Sequence, residues 1–421
     1  MHYKRVKRML AAVCCAGLVA GSVRADEPGD AGAKNFELLC PPWQWDTATH
    51  EYMGIRPELG ARGCTLDITV TADWARNFMG GLNTEGYNFG HLLNASLTLD
   101  TEKLKLWKGG TFFLNFQNEN GEFATADAGD LQVADNIDAD GRTQISELWY
   151  GQTFLDEKLT VKIGKIDPDA EFNVSAFAAE FINSTPGMTP TNLGMPAYPD
   201  PATGAQFMYR ADHYYFGAGL FDGATHEGIA TGDKGPATFF GGPADLFLIA
   251  EGGPKWMLGS GTLPGELGVG VWHHTGSFDR FDGGKDDGAT GFYIDFDQQL
   301  YRKDPSKEDD DRGVGMFLRY GWADPKISLI EHSIAGGINC TGCIPTRDHD
   351  VMGIGFDVAI LSTEDGAGVD KRSETAIELF YKIQILPWLA VQPDVQYIIN
   401  PGGVSEQDDA LVAILRVMVN L

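Results

Sequence analysis

The chain has 421 residues and a formal net charge of −27, from 59 acidic and 32 basic residues. This charge argues against a nucleic-acid-binding protein, because such proteins need clustered Lys and Arg to neutralise phosphates. No apolar run approaches the ~20 residues that a membrane-spanning helix needs, which excludes the helical membrane proteins.

The N-terminal segment predicts export. Four Lys or Arg residues lie within the first eight positions, an apolar run follows over 9–20, and small residues precede a cut after Ala25. This order is typical of a secretory signal peptide, so we expect 1–25 to be removed and 26–64 to form a periplasmic arm. The apolar run is too short for a membrane anchor, and Cys14 lacks the small preceding residues of a lipoprotein site.

From Thr65 to Leu421 the chain shows the two-residue period of β-strands. In the first segment Leu66, Ile68, Val70, Ala72 and Trp74 alternate with Thr65, Asp67, Thr69, Thr71 and Asp73. Such alternation indicates a strand with one apolar and one wet face. About sixteen such segments begin near residues 65, 91, 111, 143, 158, 205, 213, 244, 266, 291, 313, 326, 351, 374, 388 and 409.

Many alternating strands of ~10 residues predict an all-β fold: a closed antiparallel transmembrane β-barrel of about 16 strands over residues 65–421, with long outer loops. Closure is expected because lipid cannot satisfy the hydrogen bonds of an open sheet edge. A soluble β-sandwich or β-propeller, such as a secreted glycan-binding protein, is the alternative. Alternation does not itself show which face points outward.

The barrel topology also predicts that odd-numbered connections are long outer loops and even-numbered ones are short turns. The third outer loop, over 166–204, is long and fits this rule. The segments 301–312 and 333–350 are too long for even-numbered turns. They indicate either a shifted strand register or unusual turns.

Four cysteines follow the signal peptide: Cys40, Cys64, Cys340 and Cys343. An even number in an exported chain suggests two disulfides. Three pairings are possible, of which Cys40–Cys64 with Cys340–Cys343 is the most local. A zinc site or a redox motif at the C-x-x-C is the weaker alternative, because zinc sites usually need a second ligand pair.

Ten short motifs follow one another from residue 99 to near the C-terminus. They are Leu99-Asp-Thr-Glu-Lys-Leu, Gly110-Thr-Phe-Phe, Glu147-Leu-Trp-Tyr-Gly-Gln, Gly164-Lys-Ile-Asp-Pro-Asp-Ala-Glu-Phe, Phe181-Ile-Asn-Ser, Pro196-Ala-Tyr-Pro, Gln299-Leu-Tyr-Arg, Arg319-Tyr-Gly-Trp, Glu374-Thr-Ala-Ile-Glu-Leu-Phe-Tyr and Gln392-Pro-Asp-Val-Gln-Tyr-Ile-Ile-Asn-Pro-Gly-Gly. Together they resemble the carbohydrate-selective porin family, OprB, over nearly the whole mature chain. The resemblance implies a sixteen-stranded barrel, uptake of sugars, and a constriction lined by charged and aromatic residues.

A pore that passes sugars must bind hydroxyl groups weakly, through carboxylates, amides and guanidinium groups. A charged residue inside a strand is expected to face the lumen, because facing lipid at mid-bilayer costs about 2–4 kcal/mol. The expected constriction comprises Glu147, Trp149, Asp167, Asp169, Glu171, Arg210, Arg319 and Arg416. Opposed rows of acids and arginines would favour dipolar, hydroxylated solutes over bare ions.

The remaining clusters predict no catalytic residues, cofactor or metal site. His273-His274 and Asp348-His349-Asp350 are interpreted as strand ends or polar loops. The acids of the second outer loop and of 308–311 are interpreted as solvated charges rather than calcium ligands. They include Asp127, Asp130, Asp135, Asp138 and Asp140.

The expected location is the bacterial outer membrane, and the expected function is passive diffusion of sugars or other small polar solutes. A general diffusion porin is the alternative. Outer-membrane lipid is the expected surrounding, with no nucleic-acid partner. The barrel could stand alone or assemble as a homotrimer.

Overall fold

The structure, a computed structural model, describes residues 41–259, 261–307 and 310–421. Across these residues, sixteen antiparallel strands pair in sequence order, and the last strand pairs with the first to close a barrel. The expected closed barrel and its strand number are therefore confirmed. The predicted signal peptide and Cys40 lie outside the described residues.

The strands are β1 (Cys64–Met79), β2 (Asn88–Asp100), β3 (Gly110–Gly121), β4 (Arg142–Phe154), β5 (Leu159–Ile166), β6 (Ala202–Arg210), β7 (Tyr214–Asp222), β8 (Leu246–Leu258), β9 (Leu263–Asp279), β10 (Lys285–Arg302), β11 (Gly313–Trp322), β12 (Ile330–Thr341), β13 (Val351–Leu361), β14 (Ser373–Leu386), β15 (Leu389–Ile399) and β16 (Ala410–Asn420). All predicted strand starts lie within six residues of these positions. The segment 333–350 had looked too long for a turn because β12 occupies its first half.

One longer helical segment, α1 (His50–Ala61), lies at the barrel end that carries the C-terminus. There Arg56 donates a hydrogen bond to the carbonyl oxygen of Leu421 at 2.7 Å and forms an ion pair with Asp67. The short helical segments are Pro42–Gln44, Thr125–Ala128, Pro168–Ala170, Ser184–Gly187, Ala224–Glu227, Thr231–Lys234, Pro236–Gly241 and Pro401–Gly403. In the described part of the chain, no helix is both long and apolar enough to cross a membrane.

The two faces of the strands point as the alternation predicts for a membrane barrel. On β15 the side chains of Gln392 and Gln396 are buried, whereas Val395 is exposed. The two amides donate inward, to the carbonyl oxygens of Glu180 and Ala134 in the loops inside the barrel. The apolar faces therefore point outward, the reverse of a soluble barrel, which would bury them inside.

Three outer loops matter for the lumen: L2 (122–141), L3 (167–201) and L4 (223–245). L3 is bonded to carboxylates of the inner wall. Glu378 on β14 accepts hydrogen bonds from the backbone N–H groups of Ile182 and Asn183, at 2.6 and 3.1 Å. Three other wall carboxylates accept hydrogen bonds from loop backbone N–H groups. Glu251 accepts from Asn173 and Asp297 from Ala176, both in L3. Glu374 accepts from Leu131 and Gln132 of L2.

An aromatic contact also holds L3 in the lumen. The ring of Phe181 lies against Phe317 and Phe380 of the wall, with centroids 5.3 and 5.0 Å away. Beneath it, Gly337 and Gly355 face each other across β12 and β13. A Cβ atom on Gly355 would lie 2.5 Å from the Phe181 ring, so the two glycines form the hole that seats it.

We expect Gly355→Ala to displace Phe181 and loosen L3, because the added methyl group overlaps the ring. Overpacking of this kind costs about 1–3 kcal/mol, and the displaced loop should change the single-channel conductance. The matched control is Gly187→Ala in the same loop, where a Cβ meets nothing within 4 Å. Equal conductance and stability in both variants would show that the hole does not position L3.

The closure between β1 and β16 contains a buried ion pair. Arg416 lies directly opposite Asp73 and binds it through two nitrogens, the shortest distance being 2.7 Å. The same guanidinium donates to Asp135 and Asn136 of L2, at 3.0 and 2.8 Å. One side chain thus joins the first strand, the last strand and the second outer loop.

Arg416→Met should destabilise the barrel by about 3–5 kcal/mol, because it leaves the carboxylates of Asp73 and Asp135 buried without a cation. Urea unfolding in lipid vesicles, followed by tryptophan fluorescence, would measure the loss. Lys285→Met is the control, since Lys285 pairs with Asp279 at the exposed surface and such pairs contribute little. A similarly small change in both variants would argue against the closing role of Arg416.

Candidate pore constriction

Four of the expected constriction residues, together with Lys162, meet where L3 leaves the wall. We call Glu147, Trp149, Lys162, Glu171 and Arg210 the Glu171 cluster. Glu171 of L3 accepts a hydrogen bond from Lys162 Nζ of β5 at 2.8 Å and forms a second ion pair with Arg210 of β6. The carboxylate thus joins the loop to two adjacent strands.

The two cations also determine the protonation of Glu171. Burial alone would raise its pKa, but the charges of Lys162 and Arg210 and their hydrogen bonds outweigh burial and lower the pKa to about 2. Glu171 is therefore ionised throughout the neutral range. At neutral pH the carboxylate of Glu171 is therefore an acceptor beside two cationic donors.

Trp149 positions the other members of the cluster. Its indole N–H donates to Glu147 at 3.1 Å, its ring stacks on Phe113, and Lys162 Nζ lies over the ring at 4.5 Å from the centroid. A cation over an indole is favourable. Because the ring and the N–H are engaged by neighbours, Trp149 supports Lys162 and Glu147 rather than offering a free aromatic face to a sugar.

Glu147 faces the lumen because of an irregularity in its strand. The pairing of β3 with β4 shifts by one residue beside Glu147, between Asn115 and Phe116. Ile145 and Leu148 remain exposed on the outer face. The carboxylate accepts a hydrogen bond from the backbone N–H of Asp167 at 3.1 Å, which fixes the start of L3.

Asp167 and Asp169 shape L3 rather than line the passage. The carboxylate of Asp167 accepts from the backbone N–H groups of Asp169 and Tyr198, both at 3.1 Å, and so ties the two ends of the loop together. Burial raises the pKa of Asp169 to about 7; Arg319 opposes this shift, and Asp295 and Glu251 add to it. Asp169 therefore carries a proton for part of the time at neutral pH.

The other two arginines lie apart from the Glu171 cluster. Arg319 binds Asp295 at 2.7 Å and donates to the backbone carbonyl oxygens of Asn173, Pro186 and Gly187 in L3. The side chains of Arg319 and Arg416 are 1% and 8% exposed, against 25% for Arg210. Arg210 thus keeps part of its side chain exposed, whereas Arg319 and Arg416 hold loops.

Sequence reasoning missed Lys162 and most of the wall carboxylates that hold L3. The signal was present for Lys162, which lies between the exposed apolar residues Val161 and Ile163 and must therefore point inward. The same alternation places Asp295 and Asp297 inside, on either side of Phe296. Strand parity could have found them, although their loop partners could not be foreseen.

The interpretation of the L2 acids as solvated charges is wrong for Asp127, Asp130 and Asp135, which are buried. Asp127 accepts hydrogen bonds from Asn83 and Asn88, at 2.8 and 2.7 Å, and Asp135 binds Arg416. Asp127 and Asp135 thus hold L2 inside the barrel. In the run 308–311, residues 308 and 309 lie outside the described part, and Asp310 pairs with Arg312 at 2.6 Å.

Cys64, Cys340 and Cys343 lie at the barrel end that carries the C-terminus. Cys340 at the end of β12 and Cys343 in the following turn are joined by a disulfide. Cys64, the first residue of β1, has no disulfide partner among the described residues. Since Cys40 lies outside them, the Cys40–Cys64 bond stays a prediction.

Glu171→Gln should shift the pore toward anions, because Lys162 and Arg210 would keep their charges without the carboxylate between them. The reversal potential under a salt gradient in a planar bilayer measures this shift. Glu331→Gln removes a carboxylate that pairs with the exposed Arg372, where salt screens the effect. If both variants changed the reversal potential equally, the cluster would not control ion selectivity.

Comparisons by family, by sequence and by structure all match the chain to porins. The family described as carbohydrate-selective porin, OprB family, matches residues 85–421. Porin B of Pseudomonas aeruginosa is 24% identical over 441 residues, covering 92% of this chain and 93% of that protein. The putative porin QuiX of Acinetobacter baylyi is 23% identical, covering 88% and 92%. The high-pH structure of Pseudomonas putida OprB is similar with a TM-score of 0.78, 21% identity, and coverage of 90% and 99%.

Proposed function

Because the chain belongs to the carbohydrate-selective porin family, OprB, and is a porin of the bacterial outer membrane, we propose that the Glu171 cluster is where it selects its solutes. Those solutes are sugars and similar small hydroxylated molecules, which cross by passive diffusion. The family and the matched relatives are porins, which are channels rather than enzymes. Selection therefore depends on weak binding along the passage and needs no catalytic group.

The chemistry of the cluster suits a hydroxylated solute. Each sugar hydroxyl both donates and accepts hydrogen bonds. Lys162 and Arg210 offer donors beside the carboxylate acceptors of Glu171 and Glu147. Since cations and carboxylates lie side by side, their charges largely cancel, and a bare ion of either sign gains little. A sugar can exchange its water for these groups and leave again, as diffusion requires.

The observation that carries the proposal is the ion pair of Glu171 with Arg210, which joins L3 to the adjacent wall and leaves the guanidinium partly exposed. Arg319 and Arg416 have the same chemistry but are nearly fully buried. Among these three arginines, Arg210 is therefore the one placed to contact a passing solute. The other two determine selectivity only through the positions of L3 and L2.

The test is block of single-channel current by a panel of mono- and disaccharides. Arg210→Met should weaken block about tenfold, because a hydrogen bond to a charged group contributes about 1.5–3 kcal/mol and 1.4 kcal/mol corresponds to tenfold in affinity. Arg372→Met is the matched control, since Arg372 pairs with Glu331 away from the cluster and is half exposed.

Two outcomes would contradict the proposal. If the unmodified pore showed no block by any sugar, the protein would be a general diffusion porin. If sugar block occurred but Arg210→Met and Arg372→Met weakened it equally, binding would occur elsewhere than at the Glu171 cluster.

A further inference from the structure

A second polar group lies in L4, apart from the Glu171 cluster. His226 and Glu227 end the short helical segment Ala224–Glu227, and Asp245 directly precedes β8. The ligand atoms of these three residues all lie within 4.8 Å of one another. The backbone N–H of Gly223 donates to the carbonyl oxygen of Asp245 at 2.9 Å, which holds the two ends of L4 together.

The hydrogen bonds of His226 assign its tautomer. Nδ1 lies 2.8 Å from the carbonyl oxygen of Gly223, which can only accept, so Nδ1 carries the proton. In the neutral imidazole, Nε2 is then left with a lone pair. It has no hydrogen-bond partner, although the side chain is only 5% exposed.

The unpartnered Nε2 lies near the carboxylate of Asp245. Its distance to Asp245 Oδ2 is 3.8 Å, too long for a hydrogen bond but suited to two ligands of one metal ion at ~2.0–2.2 Å each. A histidine whose other nitrogen donates to a backbone carbonyl is the usual arrangement of a metal ligand. Glu227 is exposed and leaves the site open to solvent on one side.

We propose that His226, Glu227 and Asp245 form a binding site for a divalent transition-metal ion at the outer mouth of the barrel. One imidazole and two carboxylates match the preferences of Zn²⁺ more closely than those of Ca²⁺ or Mg²⁺, which favour all-oxygen sites. Water fills the remaining coordination positions. The proposal is independent of how the pore selects sugars.

A bound ion would stiffen the place where L4 meets L3. The ring of His226 packs against that of His274 in a tilted contact, with centroids 4.2 Å apart, and His274 is fully buried. A Cβ atom at Gly194 of L3 would lie 3.1 Å from the Cβ of His226, so the two loops touch here. Linking the start of L4 to its end thus also supports the base of L3.

The neighbouring His274 does not compete for the ion. Its Nδ1 accepts from the backbone N–H of Gly276 at 2.9 Å, and its Nε2 faces the carbonyl oxygen of Gly223, also at 2.9 Å. Both nitrogens are therefore used. His274 holds the carbonyl of Gly223 in place, and that carbonyl in turn fixes the tautomer of His226.

The folded protein in detergent is first treated with a chelator, and its free thiols are alkylated. It is then titrated with Zn²⁺, and calorimetry measures the binding. We expect saturable binding of one equivalent that a hundredfold excess of Ca²⁺ does not displace. His226→Ala and Asp245→Asn should each weaken binding at least about tenfold, since even the loss of a supporting contact to a ligand costs 10–100-fold. His273→Ala is the matched control, because His273 is exposed and bonds only Thr290 among the described residues.

Heat-modifiable migration in SDS gels would confirm that each variant folds. Should His226→Ala fail to fold, Glu227→Gln replaces an exposed side chain and reports on the same site. Absence of saturable Zn²⁺ binding by the unmodified chain would overturn the proposal. Equal Zn²⁺ affinity in the unmodified chain, Asp245→Asn and Glu227→Gln would overturn it as well.

Discussion

The contact on which the lumen depends is the hydrogen bond from loop backbone N–H groups to carboxylates of the barrel wall. A sixteen-stranded barrel encloses an open aqueous channel unless something fills it. L3 can enter only if its buried N–H groups find acceptors, and the wall carboxylates can be buried only if they find donors. Glu251, Asp297 and Glu378 meet both needs at once.

The arginines show how burial divides one residue type between two roles. Arg319 and Arg416 are surrounded by carboxylates and loop carbonyls, so their charges are neutralised inside the protein. Arg210 pairs with Glu171, which also binds Lys162, and its side chain stays 25% exposed. In the proposed function, a small polar surface selects the solute, and buried charges such as Arg319 determine where that surface lies.

The strands could be predicted because a two-residue period requires only local sequence, and an inward charge usually shares the parity of its strand. Glu147 is an exception, because a register shift lies beside it. The constriction could be predicted only in part. Whether Arg319 lines the lumen or holds L3 depends on its contact with Pro186, which is far away in sequence. The burial of Asp135 likewise depends on Arg416 near the other end of the chain. Such contacts leave no periodic signal in the sequence.

The position of Arg416 has a consequence for the order of assembly. Its partners Asp73 and Asp135 come from β1 and L2, whereas Arg416 itself lies on β16, the strand that closes the barrel against β1. L2 can therefore not gain its guanidinium contact beside Asp73 until β1 and β16 have met. Docking of L2 therefore follows closure of the barrel. In an unclosed barrel the acids of L2 would stay exposed to proteases and chaperones.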